Sequence, residues 1–183
     1  MECRTAAITH AADVHLDFLD SVQRRFLNNV ELTDLHAFQQ HNLAPLRARR
    51  DIANLGIIFR AVTRRGPKKL WNFFVLDTSS RRFSPRWRVH RYQIADTYRT
   101  LHKEYLDRST LGYIGIFNLL PDVVFVDDEG NVPITVQDFQ RNLTRLLRIA
   151  SESELLWQEL FSPRSPLVGH VIHVYRNLDT LAM

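Results

Sequence analysis

The chain has 183 residues, of which 45% are apolar and 24% are charged, so it can fold as one packed domain and does not have the composition of a disordered protein. Its single cysteine, Cys3, excludes an internal disulfide and predicts a reducing compartment, and therefore an intracellular protein of the cytoplasm or nucleus. No apolar run approaches the length that spans a bilayer, and the polar N-terminus does not resemble a signal peptide, so no membrane partner is expected.

The net charge of +4 is unevenly distributed. Residues 60–91 contain ten lysines and arginines and one acid, Asp77, which is a balance of +9, so the other residues together carry −5. A basic block in an otherwise acidic chain is typical of proteins that bind a polyanion such as RNA or DNA. A solvated basic surface with no partner has the same composition, and both interpretations stay open.

Apolar residues at intervals of three and four predict that the first part of the chain is helical. Residues 11–31 form an amphipathic helix, and Thr33 can cap the short helix that follows. Pro45 can occupy the first position of the next helix, which ends near Gly66, and Pro67 starts a further turn. The predicted buried stripe of the first helix consists of Val14, Phe18, Leu19, Val22, Phe26, Leu27 and Val30.

Residues 77–90 lack a clear period and are rich in serine, proline and arginine, so they are predicted to form an exposed loop. Phe83 and Trp87 alternate with arginines there, which suits stacking on unpaired bases beside phosphate contacts. Alternatively, both rings pack back on the core and hold the loop in place. The candidate nucleic-acid-binding residues are Arg64, Arg65, Lys68, Lys69, Arg81, Arg82, Arg86, Trp87, Arg88 and Arg91.

The second half of the chain is also predicted to be mainly helical. Residues 92–107 have helical spacing, and Ser109 can cap the next apolar segment, which ends at Pro121. An apolar run followed by an acidic turn predicts a short β-strand or hairpin near 123–134.

Thr135 and Asp138 have the spacing of a capping box, in which each side chain accepts the other residue's backbone N–H. Ser153 can cap a last helix over 154–161. The helix after the capping box is predicted to bury Phe139, Leu143, Leu146 and Leu147 and to carry a basic stripe of Arg141, Arg145 and Arg148. The predicted fold class is mostly α, an irregular multi-helix domain over residues 11–161, with loose ends at 1–10 and 162–183.

No motif in the sequence indicates an enzyme. Asp127 and Asp128 follow an apolar run, as do the carboxylates of a magnesium hairpin, but with the Glu-Gly-Asn that follows they are also typical of a turn, which is the preferred interpretation. His170 and His173 have no further ligands at zinc-binding spacing, and no Gly-rich phosphate loop or nucleophile motif occurs. The expectation is a protein without catalytic residues, metal or cofactor.

Four blocks of sequence carry a family resemblance. They are LDSVQRRFLNNV (19–30), NLAPLRARRDIANLGIIFRA (42–61), LGYIGIFNLLPDVVF (111–125) and VQDFQRNLTRLL (136–147). In this order they resemble the C-terminal region of non-LTR (LINE-type) retrotransposon reverse transcriptases, where an LD-x-x-Q-x-x-FL helix precedes an L-x-x-RRD-x-A-x-L helix, an FN-x-LP segment and an FQ-x-x-L helix. The resemblance covers about residues 18–150.

The resemblance implies a segment that lies downstream of the polymerase palm. The catalytic aspartates of that family precede the LD-x-x-Q block, so Asp127 and Asp128 do not correspond to them. The implied protein is a non-catalytic helical remnant that would lie beside template RNA and target DNA.

Two functions follow from the sequence. The first is an accessory module that binds RNA or DNA through the basic residues. The alternative is a structural or protein-interaction module that packs on a reverse transcriptase core or associates with itself, and it predicts exposed apolar surface that includes Phe26 or Trp71.

Overall fold

The computed structural model describes residues 11–77, 90–95, 97–98, 106–107, 109–127, 129, 134–152 and 157–163. The named α-helices are α1 (Asp13–Asn29), α2 (Asp34–His41), α3 (Leu46–Val62), α4 (Lys68–Trp71), α5 (Ile114–Leu119) and α6 (Val136–Glu152). Short 3-10 turns cover Thr110–Tyr113, Asp122–Phe125 and Trp157–Glu159. The prediction of a mostly α, multi-helix fold is confirmed, and these ranges contain no β-strand beyond one isolated bridge.

Helix α3 lies at the centre of the fold, and eleven of its seventeen residues are buried. It packs against α1, α4, α5 and α6. The Phe59 ring stacks on Phe139 of α6 with the centroids 4.4 Å apart, and Phe125 packs against both rings. A helix buried around most of its circumference offers apolar surface in several directions, so several other elements pack against it.

The start of α3 is held by a side chain from another helix. Pro45 was predicted to be the first residue of the helix, but it is the N-cap residue. Its side chain has no hydrogen-bond acceptor for the helix N–H groups. The Gln23 side chain of α1 takes that role, because its Oε1 accepts a hydrogen bond from the Leu46 N–H at 2.9 Å. Its Nε2 donates to the Ala44 carbonyl at 3.3 Å. One amide therefore ties α1 to the backbone at the beginning of α3, where it satisfies one of the N–H groups that have no partner within the helix.

The buried polar residues of α3 have specific partners. The Arg50 guanidinium, with 5% of the side chain exposed, donates two hydrogen bonds of 2.7 and 2.8 Å to the two carboxylate oxygens of Asp20 in α1. The Tyr113 hydroxyl donates to Asp51 Oδ1 at 2.6 Å, and the Thr110 hydroxyl donates to Asn54 Oδ1 at 3.0 Å. These contacts join α3 to α1 on one side and to the 3-10 turn before α5 on the other.

Two predicted caps are confirmed. Thr33 Oγ1 accepts from the His36 N–H at 3.2 Å at the start of α2. The capping box of α6 is formed by Thr135 and Asp138, whose side chains accept each other's backbone N–H at 3.1 and 3.3 Å. Ser109, in contrast, precedes a 3-10 turn and does not cap it, because its hydroxyl donates to the Leu106 carbonyl.

The predicted β element near 123–134 is wrong within the described residues, where Asp122–Phe125 is a 3-10 turn. Val124 and Phe125 are both buried, whereas the side chains of consecutive strand residues point to opposite faces. The tight turn therefore allows both side chains to enter the core.

The predicted helix over 92–107 does not begin at residue 92. Ile94 forms an antiparallel bridge with Leu76, and the side-chain amide of Asn118 both accepts from the Ile94 N–H and donates to its carbonyl at 2.8 Å. These bonds hold Ile94 in an extended conformation. Residues 106–107 are helical, and most of the chain between lies outside the described residues.

The C-terminal part of the described chain is anchored to α3. In the described part of the predicted last helix, Trp157–Glu159 is a 3-10 turn. Arg47 pairs with Glu159 at 2.8 Å and donates to the Ser162 hydroxyl at 3.2 Å. Ser162 is buried, so the packed region extends past the predicted boundary at residue 161. Residues 1–10 and 164–183, predicted as loose ends, lie outside the described residues.

The prediction that the apolar stripe of α1 is buried is wrong for every member except Leu27. Instead, Leu16 and Leu27 are the side chains that α1 buries. Five of the predicted residues follow one another at strict four-residue steps, and each step advances about 40° around the helix. A row with this spacing therefore turns around the helix and does not stay on the face that packs on the core. The predicted Phe and Leu residues of α6 have mixed three- and four-residue spacing, stay on one face and are buried.

Replacement of Asp20 by asparagine tests the ion pair between α1 and α3. The change leaves the buried Arg50 guanidinium without its counter-charge, so we expect the free energy of unfolding to fall by about 3 kcal/mol. The matched control is Asp17→Asn, an exposed carboxylate one turn earlier on α1, for which we expect a change within about 0.5 kcal/mol. Urea denaturation measures both, and equal effects would contradict a special role for Asp20.

Replacement of Asp51 by asparagine tests the buried carboxyl. Burial raises the pKa of Asp51 to about 7, and the hydrogen bond from Tyr113 only partly opposes this. Because this folded-state pKa lies above the ordinary value of 3.8, the stabilisation from proton binding is complete below about pH 3.8 and is lost as the pH rises through 7. We expect the stability of wild type relative to the variant to decline from pH 4 to pH 7. A pH-independent difference in denaturation midpoints would refute this.

Candidate functional site

Five exposed basic residues cluster where the chain leaves α3 and enters α4, and no acidic residue lies among the ten residues 60–69. We call this group the basic turn; it consists of Arg60, Arg64, Arg65, Lys68 and Lys69. In the part of the chain that the structure describes, none of the five has a carboxylate within ion-pair distance. Side chains of this charge are the type that an anionic ligand would contact.

Helix α3 ends at Val62, earlier than the predicted stop at Gly66, and the reason is the conformation of Arg64. Arg64 has a φ of 57°, in the left-handed region. The Arg65 N–H bonds to the Arg60 carbonyl at 2.8 Å, and the Arg64 N–H bonds to the Ala61 carbonyl at 3.1 Å. This is the Schellman arrangement, whose left-handed position is usually glycine. An arginine there costs about 1–2 kcal/mol in backbone strain, and it carries its charge out at the turn.

Side-chain contacts fix the shape of the basic turn. The Arg64 guanidinium lies 5.9 Å from the ring centre of Trp71, within cation–π distance. The Trp71 indole N–H donates to the Gly66 carbonyl at 3.1 Å. The Arg65 guanidinium donates to the carbonyl of Ile134, just before α6. Trp71 is half-buried in this position, so it supports the turn rather than offering a fully exposed ring.

Arg91 is exposed and lies two residues before Gln93, which bonds to the backbone of Asp77. Asp77 donates from its N–H to the Gln93 carbonyl at 2.8 Å, so the residues on either side of the predicted loop meet. The Tyr92 ring lies 6.0 Å from Phe59, which directly precedes Arg60. The residue after Arg91 therefore packs against the buried side of α3.

The other candidate residues of the predicted loop lie outside the described residues. They are Arg81, Arg82, Phe83, Arg86, Trp87 and Arg88. Whether the two aromatic rings face a ligand or the core is therefore still a matter of prediction.

The basic stripe of α6 has structural contacts of its own. Arg141 pairs with Asp138 at 2.8 Å, one turn earlier on the same helix. Arg148 lies over the Phe38 ring at 5.7 Å and donates to Asn42 at 3.4 Å. Arg141 thus pairs with the capping-box residue of its own helix, and Arg148 contacts α2. The residues of the basic turn have no such carboxylate partner among the described residues, so the basic turn is the better candidate for binding an anion.

A second feature of the described surface is apolar. Four residues of α1 and its C-cap residue Val30, at four-residue steps, form a row that we call the α1 ridge. The ridge and the exposed fractions of its residues are Val14 (76%), Phe18 (65%), Val22 (54%), Phe26 (55%) and Val30 (45%). The alternative function predicted exposed apolar surface at Phe26 or Trp71, and Phe26 is exposed. Sequence reasoning assigned this row to the core, although its unbroken four-residue step was the signal against that.

The buried titratable groups face the core rather than a ligand site. Asp51 Oδ2 has no hydrogen-bond partner among the described residues. His90 is buried against Phe125, and burial lowers its pKa to about 4, so the imidazole is neutral. Its Nδ1 accepts from the Tyr92 N–H at 3.1 Å, and its Nε2 lies 2.8 Å from the Phe117 carbonyl. Both ring nitrogens are thus occupied within the fold.

Asp127 is engaged in a local turn. Its Oδ1 accepts from the Glu129 N–H at 3.0 Å, an aspartate-to-backbone bond two residues on that is typical of turns. Asp128 lies outside the described residues. Within the described ranges, no group of three or more His, Cys, Asp or Glu side chains is placed to hold a metal ion.

Comparison of the chain with protein-family models, curated proteins and solved structures gives no match. Among the residues that the structure describes, no helix has the length and apolar character needed to cross a membrane.

Two substitutions of Arg64 test the strained turn. Both variants lose the Trp71 contact, but glycine adopts the left-handed conformation freely whereas alanine keeps the strain. We expect Arg64→Gly to be more stable than Arg64→Ala by about 1 kcal/mol in urea denaturation. Equal stability of the two variants would show that the left-handed conformation at residue 64 carries no strain.

Proposed function

We propose that this protein is a non-catalytic helical module that binds RNA or DNA through the basic turn, and that it derives from the region downstream of the polymerase in a non-LTR retrotransposon reverse transcriptase. The observation that carries the proposal is the basic turn itself. It presents five exposed positive charges over ten residues, with no carboxylate partner among the described residues. Phosphates are the ligands that such a group neutralises.

The strain at Arg64 supports a ligand role for the turn. Glycine at this position would relieve the backbone, so an arginine there sacrifices stability to keep a charge at the end of α3. Backbone strain of this kind clusters at functional sites, where the side chain is needed for something other than folding. Arg91 adds a further exposed basic residue at the end of the predicted loop.

The motifs that suggested the family have structural partners in one another. Asp20 and Gln23 of the LD-x-x-Q block bind Arg50 and Leu46 of the block that follows. Tyr113 of the FN-x-LP block donates a hydrogen bond to Asp51 of the RRD block. Polar residues that satisfy each other across blocks support the view that the blocks form one folding unit, as a derived reverse transcriptase segment would.

Removal of two charges from the basic turn tests the proposal. The variant Lys68→Gln/Lys69→Gln is titrated into a labelled single-stranded RNA, with fluorescence anisotropy recorded at several salt concentrations. If both lysines contact phosphates, the slope of log K against log salt becomes shallower by about 1.4, since each neutralised phosphate of a single strand contributes about 0.7.

The matched control is Arg24→Gln/Arg25→Gln, which removes the same charge from exposed positions on α1. It should bind with the wild-type salt slope, and circular dichroism checks that each variant is folded. The proposal fails if wild type does not bind at low salt, or if the two double variants change the slope equally.

A further inference from the structure

The helical turn that begins with α4 continues past the last residue of the helix, and we call residues 68–74 the α4 turn. Asn72 keeps a right-handed helical conformation, with φ of −73° and ψ of −20°, and the Phe73 N–H donates to the Leu70 carbonyl at 3.1 Å. The buried and half-buried positions are Leu70, Trp71 and Phe74. The exposed positions are Lys68, Lys69, Asn72 and Phe73. At about 100° per residue the two sets lie on separate sides of the turn, so the outward side includes an aromatic ring.

Phe73 lies next to a positive charge on this outward side. The residue is 48% exposed, whereas Phe74, the next in the chain, is 5% exposed and belongs to the core. Lys69 and Phe73 are four residues apart, which places their Cβ atoms about 6 Å from each other in a helical turn. Lys69 also belongs to the basic turn, so the exposed ring directly adjoins the group that the proposed function assigns to phosphates.

An exposed ring beside an ammonium group is complementary to an unpaired nucleotide. The ring offers a flat apolar face on which a base can stack, and the ammonium group neutralises the phosphate next to that base. Asn72 lies on the same side, and its carboxamide can donate and accept hydrogen bonds with the edge of a base. In a duplex the base faces are covered by their neighbours in the stack, so this combination favours a single strand.

The distribution of apolar residues argues against a membrane surface as the partner. A helix that lies on a membrane has a broad apolar face, whereas Phe73 is the one apolar residue among the four exposed positions of the α4 turn. Val75 and Leu76 are also exposed, but Leu76 forms an antiparallel bridge with Ile94. Consecutive side chains of such an extended segment point to opposite sides, so they do not widen the ring into a continuous apolar face.

From these observations we propose that Phe73 is a base-stacking residue, and that the ligand of the basic turn is a single-stranded nucleic acid with one unpaired base on the Phe73 ring. Lys69 contacts the phosphate next to that base. The inference rests on the proposed function, because it assigns the bases of the strand whose phosphates the basic turn contacts. It adds a preference for single strands over duplex, which phosphate contacts alone do not produce.

Replacement of Phe73 by alanine tests the stacking in the full chain. Fluorescence anisotropy measures binding to a labelled single-stranded RNA and to a labelled strand of the same length that has the phosphates but no bases. We expect Phe73→Ala to bind the RNA about 5- to 150-fold more weakly than wild type, which is the range for the loss of one stacked base, with the salt slope unchanged. On the strand without bases, the two proteins should bind equally.

Two further substitutions separate stacking from simple apolar contact. Phe73→Trp keeps an aromatic face and should bind the RNA as tightly as wild type, whereas Phe73→Leu is apolar without a ring and should bind as weakly as Phe73→Ala. The matched control is Phe26→Ala, which removes a ring of similar exposure, 55%, from α1 and should leave RNA binding unchanged. Wild type should bind the single strand at least about 5-fold more tightly than a duplex of the same sequence. Circular dichroism checks that each variant is folded.

The outcomes distinguish this inference from the proposed function. If Lys68→Gln/Lys69→Gln reduces the salt slope but Phe73→Ala binds the RNA as tightly as wild type, the basic turn stays a nucleic-acid site and the stacking assignment is overturned. An equal loss on the strand without bases would also overturn it, because Phe73 would then act through the fold of the turn. A wild type that does not bind RNA at low salt would overturn both proposals. Binding to phosphatidylserine vesicles that RNA does not displace would assign the ring to a membrane surface instead.

Discussion

The burial of α3 on most of its circumference is the constraint on which the rest of the fold depends. A helix in that position cannot leave polar side chains without partners, because an unpaired buried polar group loses its hydration without compensation. Arg50, Asp51 and Asn54 therefore each need a partner from another element, and these partners come from α1 and from the 3-10 turn before α5. The apolar residues of α3 can pack against any apolar neighbour, whereas its polar residues need partners with a matching donor or acceptor. That combination specifies a unique packing more strongly than apolar contact alone.

Two buried titratable groups respond to pH in opposite directions within this core. Asp51 favours its protonated form in the folded state, so its contribution to stability declines as the pH rises toward 7. His90 favours its neutral form, so its contribution is present above its ordinary pKa of 6.5 and is lost as the pH falls toward 4. The two windows overlap, and the effects offset one another. The free energy of unfolding of the whole protein can therefore change little with pH although the contributions of Asp51 and His90 each change.

The basic turn and the α1 ridge each contain residues that are unusual for their position in the fold. The basic turn keeps an arginine in a conformation that glycine adopts more easily. The α1 ridge keeps valine and phenylalanine in solvent although the helix buries only Leu16 and Leu27. Each departure lowers the stability or solubility of the isolated chain, and each places a specific chemistry on the surface. Apart from Asp51 Oδ2, the buried side-chain polar atoms of the described residues have partners, and in such a chain local conflicts of this kind are the places where binding is expected.

The sequence by itself determined the helical class, the caps at Thr33 and Thr135, and the buried face of α6. These features depend on contacts between residues a few positions apart, which spacing reveals directly. The tertiary structure alone decided that the α1 ridge faces solvent, that Val124 and Phe125 enter the core from a 3-10 turn, and that Ile94 is held extended. Each of these outcomes depends on a partner distant in sequence: Asn118 holds Ile94, and the position of α3 selects Leu16 and Leu27 as the buried side of α1. Likewise, charge density predicted the basic turn as a region, but the left-handed conformation of Arg64 follows from how α3 must end before the chain enters α4.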